Sequence, residues 1–134
     1  MADPLPLRLA LVAHDAKKAL LVEWAGRFLN ILSRAELHAT GTTGSRLVDA
    51  HPDLSVNCLK SGPLGGDQQL GAMICEERLD GLIFFIDPLA PMPHDVDVKA
   101  LTRIAVLYDL PMAISPTTAD FLIRGITAKR QPSL

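Results

Sequence analysis

The sequence predicts an α/β fold, a mostly parallel five-stranded sheet with helices on both faces, and three observations carry that expectation. Short apolar runs of strand length alternate with segments whose apolar residues recur at helical spacing. The runs read apolar throughout, as strands covered on both faces do. Polar and glycine residues collect just after the runs, at the edge where open parallel sheets bind ligands.

Leu7–Ala13 (LRLALVA) reads as the first buried strand and ends at His14-Asp15. From Lys17 to Ser33, Leu20, Leu21, Trp24, Ala25, Phe28, Leu29 and Leu32 form a wide helical apolar face. Glu36–Thr40 is a second strand running into Gly41-Thr42-Thr43-Gly44, and a short helix follows over Ser45–Ala50. Ser55–Leu59 is a weaker third strand before the loop Lys60–Gly66, and Asp67–Glu77 reads as a helix. Leu82–Ile86 (LIFFI) is the clearest strand and stops at Asp87-Pro88. Val98, Leu101, Ala105 and Tyr108 mark one face of another helix, Leu110–Ile114 a fifth strand and Thr118–Arg124 a last helix. There is no internal repeat or linker. Residues 1–134 read as a single domain with a core over about 7–124 and a tail over 125–134, frayed from Ala128.

Hydrophobic residues make up 49% and charged residues 21%, which supports a packed core and argues against disorder. Aromatics are only 4%, so the core is expected to be built from Leu, Ile, Val and Ala. A net charge of -2 gives no electrostatic argument for nucleic acid or for an anionic membrane. An anionic substrate therefore needs a local positive cluster. Cys58 and Cys75 match no zinc or redox spacing and read as reduced structural thiols. Met1-Ala2-Asp3-Pro4 begins no signal peptide, and no apolar run approaches a membrane span. The expectation is a cytoplasmic protein with no membrane and no nucleic-acid partner.

Each polar cluster admits a functional and a plain reading. Thr40-Gly41-Thr42-Thr43-Gly44 suits a phosphate cradle of backbone N–H groups and hydroxyls before a helix N-terminus, or is a simple Gly/Thr turn. It is not a P-loop, because GxxxxGK[ST] is absent. Ser61-Gly62 could add donors or only turn the chain before Pro63. Lys18 could bring an ammonium to the cradle or be a solvated lysine. Asp67, after two glycines, suits a general base and also a helix N-cap. Asp87 could shape a turn. His94-Asp95-x-Asp97 is an acid/base cluster or a solvated loop with a cap. Two histidines and three carboxylates at one edge raise a metal site, but their spacing fits no helical ligand pair, so no metal is expected.

In this order the residues resemble the methylglyoxal synthase family. The stretches that carry the resemblance are LVAHD (Leu11–Asp15), ATGTTG (Ala39–Gly44), SGPLGGDQQLGA (Ser61–Ala72), LIFFIDPL (Leu82–Leu89), PHDVDVKAL (Pro93–Leu101) and TADFLI (Thr118–Ile123). GGDQQ and PHDxDVKAL together at this spacing are highly specific. The resemblance implies a Rossmann-like three-layer α/β/α domain, a homo-oligomer (hexamer or tetramer), and the conversion of dihydroxyacetone phosphate to methylglyoxal and phosphate without metal or organic cofactor. It implies Asp67 as catalytic base and His94 as a substrate-binding proton shuttle, with Asp97 and Asp87 as further catalytic carboxylates. Substrate and phosphate binding then fall on His14, Lys18, Thr40, Gly41, Thr42, Thr43, Ser61 and Gly62, with inorganic phosphate as an inhibitor.

The same domain type serves as a regulatory ligand-binding module in carbamoyl phosphate synthetase and has a relative in an inosinate cyclohydrolase. Asp67, His94 and Asp97 in this chain favour the enzyme. Longer family members carry a C-terminal arginine extension tied to subunit signalling, and the resemblance does not reach that extension. Ser115 stands near an asparagine of other members, and Pro116 has no role legible in the sequence.

Overall fold

The computed structural model describes the backbone of residues 5–90 and 95–130, and the side chains of all of these but 95–97. Its strands are β1 (Arg8–Ala13), β2 (Glu36–Thr40), β3 (Val56–Leu59), β4 (Gly81–Phe85) and β5 (Met112–Ala113). They form one sheet in the order β3-β2-β1-β4-β5, with every neighbouring pair parallel. Parallel neighbours cannot be joined by hairpins, so each connection crosses a face of the sheet. One face carries α1 (Lys18–Gly26), α2 (Leu29–Leu32), α3 (Gly41–Ala50) and α6 (Pro116–Arg130). The other carries α4 (Gly66–Cys75) and α5 (Asp95–Leu107).

The two-residue period of the strands divides the core between these faces. Leu9, Leu11, Ile83 and Phe85 pack with Leu21, Trp24, Leu47 and Ile123. Ala10, Val12, Leu82 and Phe84 pack with Leu70, Ile74, Leu101 and Ala105. Each such leucine contributes roughly 1.5–3 kcal/mol relative to exposure. The core is not purely aliphatic, however. Trp24, Phe84 and Phe85 are its largest fully buried side chains, so the few aromatic residues are concentrated at its centre. Connections turn outward from β1 toward β2 and from β4 toward β5. The switch point, where ligands bind in such sheets, therefore lies between the C-terminal ends of β1 and β4.

Several element boundaries differ from expectation for physical reasons. The helix predicted over 17–33 is broken, because Phe28 at φ -123°, ψ 25° leaves the helical region. Its ring then lies 4.9 Å from Trp24, with the Arg27 and Arg124 guanidinium groups each 5.6 Å from its centroid. α3 begins at Gly41, four residues before the predicted Ser45, so the glycine–threonine stretch is a helix start and not a loop. β3 is an edge strand with Asn57 and Cys58 exposed. β5 keeps only two of its five predicted residues. α6 runs to Arg130, so residues 125–130 of the expected tail are helical, and residues 131–134 lie outside the described residues. Ile126 packs on the core, and Arg130 reaches the Asp80 carboxylate (3.8 Å) and the Leu5 carbonyl. Pro116 is the first residue of α6, where its missing N–H costs nothing, and the Ser115 carbonyl accepts the Ala119 N–H at 3.0 Å. Both cysteines are free, as expected, but exposed. No described helix is long and apolar enough to cross a membrane.

Candidate functional site

At the switch point the Val12–Ala13 end of β1 delivers His14, and the end of β4 delivers Asp87. The chain ends are stitched together there. The His14 N–H donates to the Phe85 carbonyl at 3.1 Å, and the Asp87 N–H donates to His14 Nδ1 at 2.9 Å. A ring nitrogen that accepts a hydrogen bond carries no proton, so the neutral His14 imidazole holds its proton on Nε2. The ring also rests edge-on against Phe84, with centroids 5.1 Å apart. His14 is thereby fixed in tautomer and orientation by its neighbours.

A cavity of about 480 Å³ opens above this seam. His14, Lys18, Thr40, Gly41, Thr43, Ser61, Gly62, Asp67 and Asp87 all line it, so nine of the residues singled out in the sequence converge on one space. Thr42 does not line it. Its Oγ1 instead accepts the Lys18 Nζ hydrogen bond at 2.7 Å, which makes it a support for the lysine. Lys18 also donates to Asp15 Oδ1 at 2.6 Å. That hydrogen bond and the nearby ammonium hold the Asp15 carboxyl below the usual carboxylate range. Lys18 is thus held in place and is not a freely solvated lysine. His94 lies outside the described residues, as does the Asp97 side chain, although the Asp97 backbone sits in the first turn of α5.

The cradle reading gains support from α3. Thr40 is its N-cap residue but makes no side-chain capping bond, so its side chain does not occupy the positive end of the helix, where an anion is favoured. Thr43 is 1% exposed, and its buried hydroxyl has no partner among the described residues. Such a group is rare unless a ligand or water serves it. Glycine is favoured at position 41 on two counts. Its φ of +52° suits glycine, and a Cβ there would stand 3.1 Å from Ser61 Cα and Cβ. A side chain there would press on the Ser61 loop, so glycine favours the close approach of the two loops.

Asp67 is not the cap of α4. The N-cap is Gly65, at φ +108°, and Asp67 is the second helical residue. It is 5% exposed, and it lines the same cavity as the cradle residues. Among the described residues no group of three or more His, Cys, Asp or Glu side chains is disposed to hold a metal ion.

Sequence reasoning missed Phe84 as part of the site and placed Asp15 at its edge without giving it a role. Phe84 was visible only as an apolar strand residue, and the alternation of β4 is the signal that turns it toward His14. Asp15 was legible by its place beside His14 and three residues before Lys18.

A family model described as an MGS-like domain matches residues 20–114. The methylglyoxal synthase of Rhizobium rhizogenes is 63% identical over 118 residues, covering 88% of this chain and 94% of its own. The chain belongs to the methylglyoxal synthase family. The methylglyoxal synthase of Brucella anthropi is 58% identical over 120 residues, covering 90% of this chain and 96% of its own. The crystal structure of methylglyoxal synthase from Elizabethkingia anophelis superposes with a TM-score of 0.81 at 48% identity, over 88% of this chain and 78% of that one. The matched family region includes both cradle loops, Asp67 and Asp87, and begins after His14 and Lys18.

Proposed function

We propose that this methylglyoxal synthase family member converts dihydroxyacetone phosphate to methylglyoxal and inorganic phosphate at the cavity above the β1–β4 seam. The observation that supports the reading is that the buried Asp67 and the candidate cradle residues Thr40, Gly41, Thr43, Ser61 and Gly62 line one cavity. Asp67 takes a proton from the hydroxymethyl carbon. As the hydroxyl proton of that carbon passes to the departing phosphate and its C=O forms, the enediolate electron pair moves into a new C=C bond to the phosphate-bearing carbon and the C–O bond to phosphate breaks. The resulting enol aldehyde takes a proton on its CH₂ terminus and becomes methylglyoxal. No redox step is involved, and no metal or organic cofactor enters the balance.

The leaving phosphate is served by the first-turn amides of α3, the Thr43 hydroxyl, Ser61, Gly62 and the Lys18 ammonium. Fixed donors of this kind need no rearrangement as charge moves onto the leaving group. His14, protonated on Nε2, offers a neutral donor. His94 and Asp97 enter on the family resemblance as proton shuttle and supporting carboxylate, and Asp87 as a carboxylate beside the seam. The same cradle supports inhibition by inorganic phosphate. A cytoplasmic homo-oligomer, hexamer or tetramer, agrees with the exposed Val106, Leu107 and Phe121 side chains. Purified protein supplied with dihydroxyacetone phosphate is expected to release methylglyoxal and phosphate one for one, with a chelator present. Phosphate release without methylglyoxal, or activity restored only by a divalent ion, would overturn the mechanism.

A further inference from the structure

Gln69 does not line the cavity, and the chemistry above leaves it unused. It sits on α4 two residues after Asp67, and its Oε1 accepts the Lys60 amide hydrogen at 2.8 Å. Lys60 immediately precedes Ser61, where the second donor loop of the cradle begins. The same peptide is held from below. A Cβ on Gly66 would lie 1.9 Å from the Lys60 carbonyl oxygen, so only glycine lets the segment lie this close to α4. The Gly66 N–H also donates to the Ser61 carbonyl at 2.9 Å. The Lys60–Ser61 segment is therefore laid across the first turn of the helix that carries Asp67.

We propose that Gln69 is a positioning residue: its carboxamide sets the separation between the Ser61-Gly62 phosphate donors and the Asp67 base. The proposal rests on the functional reading above and adds to it the device that keeps the two ends of the site in register. Elimination needs base and leaving group engaged on one substrate molecule, and a misplacement of about 1 Å can cost about 10²-fold in rate. Lys60 and Gln69 are both exposed, so water replaces the bond if it is lost. The bond therefore adds little to stability, and its consequence is geometric.

Gln69→Leu has similar bulk and no acceptor, while Gln69→Glu keeps an oxygen at the same reach. Phosphate Kd by calorimetry, kcat and KM for dihydroxyacetone phosphate, and Tm are to be measured for both variants and the wild type. Gln69→Leu is expected to raise phosphate Kd and KM about three- to tenfold, the effect of one hydrogen bond, with Tm moved by only a few degrees. Gln69→Glu is expected to stay within about threefold at an ionic strength near 0.15 M, where an added exposed charge is screened. Wild-type Kd and KM in Gln69→Leu overturn the proposal, and so do equal losses in both variants. A wild-type protein that makes no methylglyoxal refutes the functional reading instead, and the phosphate Kd comparison still decides the role of Gln69.

Discussion

Replacing Asp67 with Asn tests the chemistry most directly, because the fold does not depend on the carboxylate as a cap. Gly65 occupies the N-cap position, so Asp67 is not the N-cap residue, and an asparagine there keeps a side-chain oxygen of the same reach. Two effects on stability oppose each other. The carboxylate in the first turn of α4 gains about 0.3–1 kcal/mol from the helix dipole. Holding that charge at 5% exposure costs desolvation, which the neutral amide avoids. The net change is expected to stay within about 1 kcal/mol, a Tm shift of roughly 5 °C or less for a chain of this size. Turnover should behave differently. General-base catalysis contributes about 10²–10⁴ in rate, or about 2.7–5.4 kcal/mol of barrier. Phosphate affinity should be unchanged or tighter, because an anionic neighbour of the cradle has been neutralised. The assay is methylglyoxal formation beside phosphate calorimetry and a thermal melt on the same preparation. A folded Asp67→Asn protein that turns over within about tenfold of wild type refutes the assignment and moves the base to Asp97 or His94.

Lys18→Met should weaken both phosphate and dihydroxyacetone phosphate about ten- to a hundredfold, since it removes a charge-assisted contact of about 1.5–3 kcal/mol. Calorimetric constants equal to wild type would return Lys18 to the status of a surface residue. Away from the site, burial alone would push the Asp80 carboxyl up, but the hydrogen bonds from Arg8 and the charges of Arg8 and Arg130 outweigh it and leave it below its ordinary value of 3.8. Asp80 is therefore a depressed carboxylate. Its stabilisation is complete above pH 3.8 and is lost as pH falls through the lower folded value. Asp80→Asn should be less stable by about 1 kcal/mol at neutral pH, with the wild-type and variant denaturation curves converging on acidification. A stability difference that persists undiminished at about pH 2 contradicts this account.

The layers and the site edge were legible because apolar runs and clustered polar residues each follow from one rule. β2 matches Glu36–Thr40 to the residue. β4 begins one residue early, at Gly81, where a Cβ would stand 2.9 Å from Leu9 Cδ2; a glycine chosen for close approach looks like a turn in one dimension. The start of α3 was hidden for a similar reason, since Gly41 and two threonines resemble a loop until the positive φ of Gly41 is seen at the head of the helix. The break at Phe28 and the last turn of α6 depend on partners far along the chain, Arg124 for one and Asp80 for the other. In the site, residue types were readable but not their division of labour. Thr42 lay inside the motif yet serves Lys18, and Gln69 was quoted in GGDQQ without a task. Buried His38 went unnoticed because its partners, Glu36 Oε2 and the Asn57 amide, each 3.0 Å away, lie along and across the sheet.

The pairing of β1 with β4 has a consequence for how the molecule is made. Leu9 faces Gly81, 72 positions later (81 − 9 = 72), while Arg8 faces Glu36 only 28 positions on (36 − 8 = 28). During synthesis at about 5–20 residues per second, the first strand must wait roughly four seconds or longer for its second neighbour. Until then its inner edge, with Ala10, Leu11 and Val12, is open to any other unpaired strand, a period in which a chaperone or rapid docking of α1 matters. The cavity lies on that late-closing seam. The first strand to emerge thus cannot serve the site until the fourth has been made, and ligand binding by a growing chain would time the closure of the sheet.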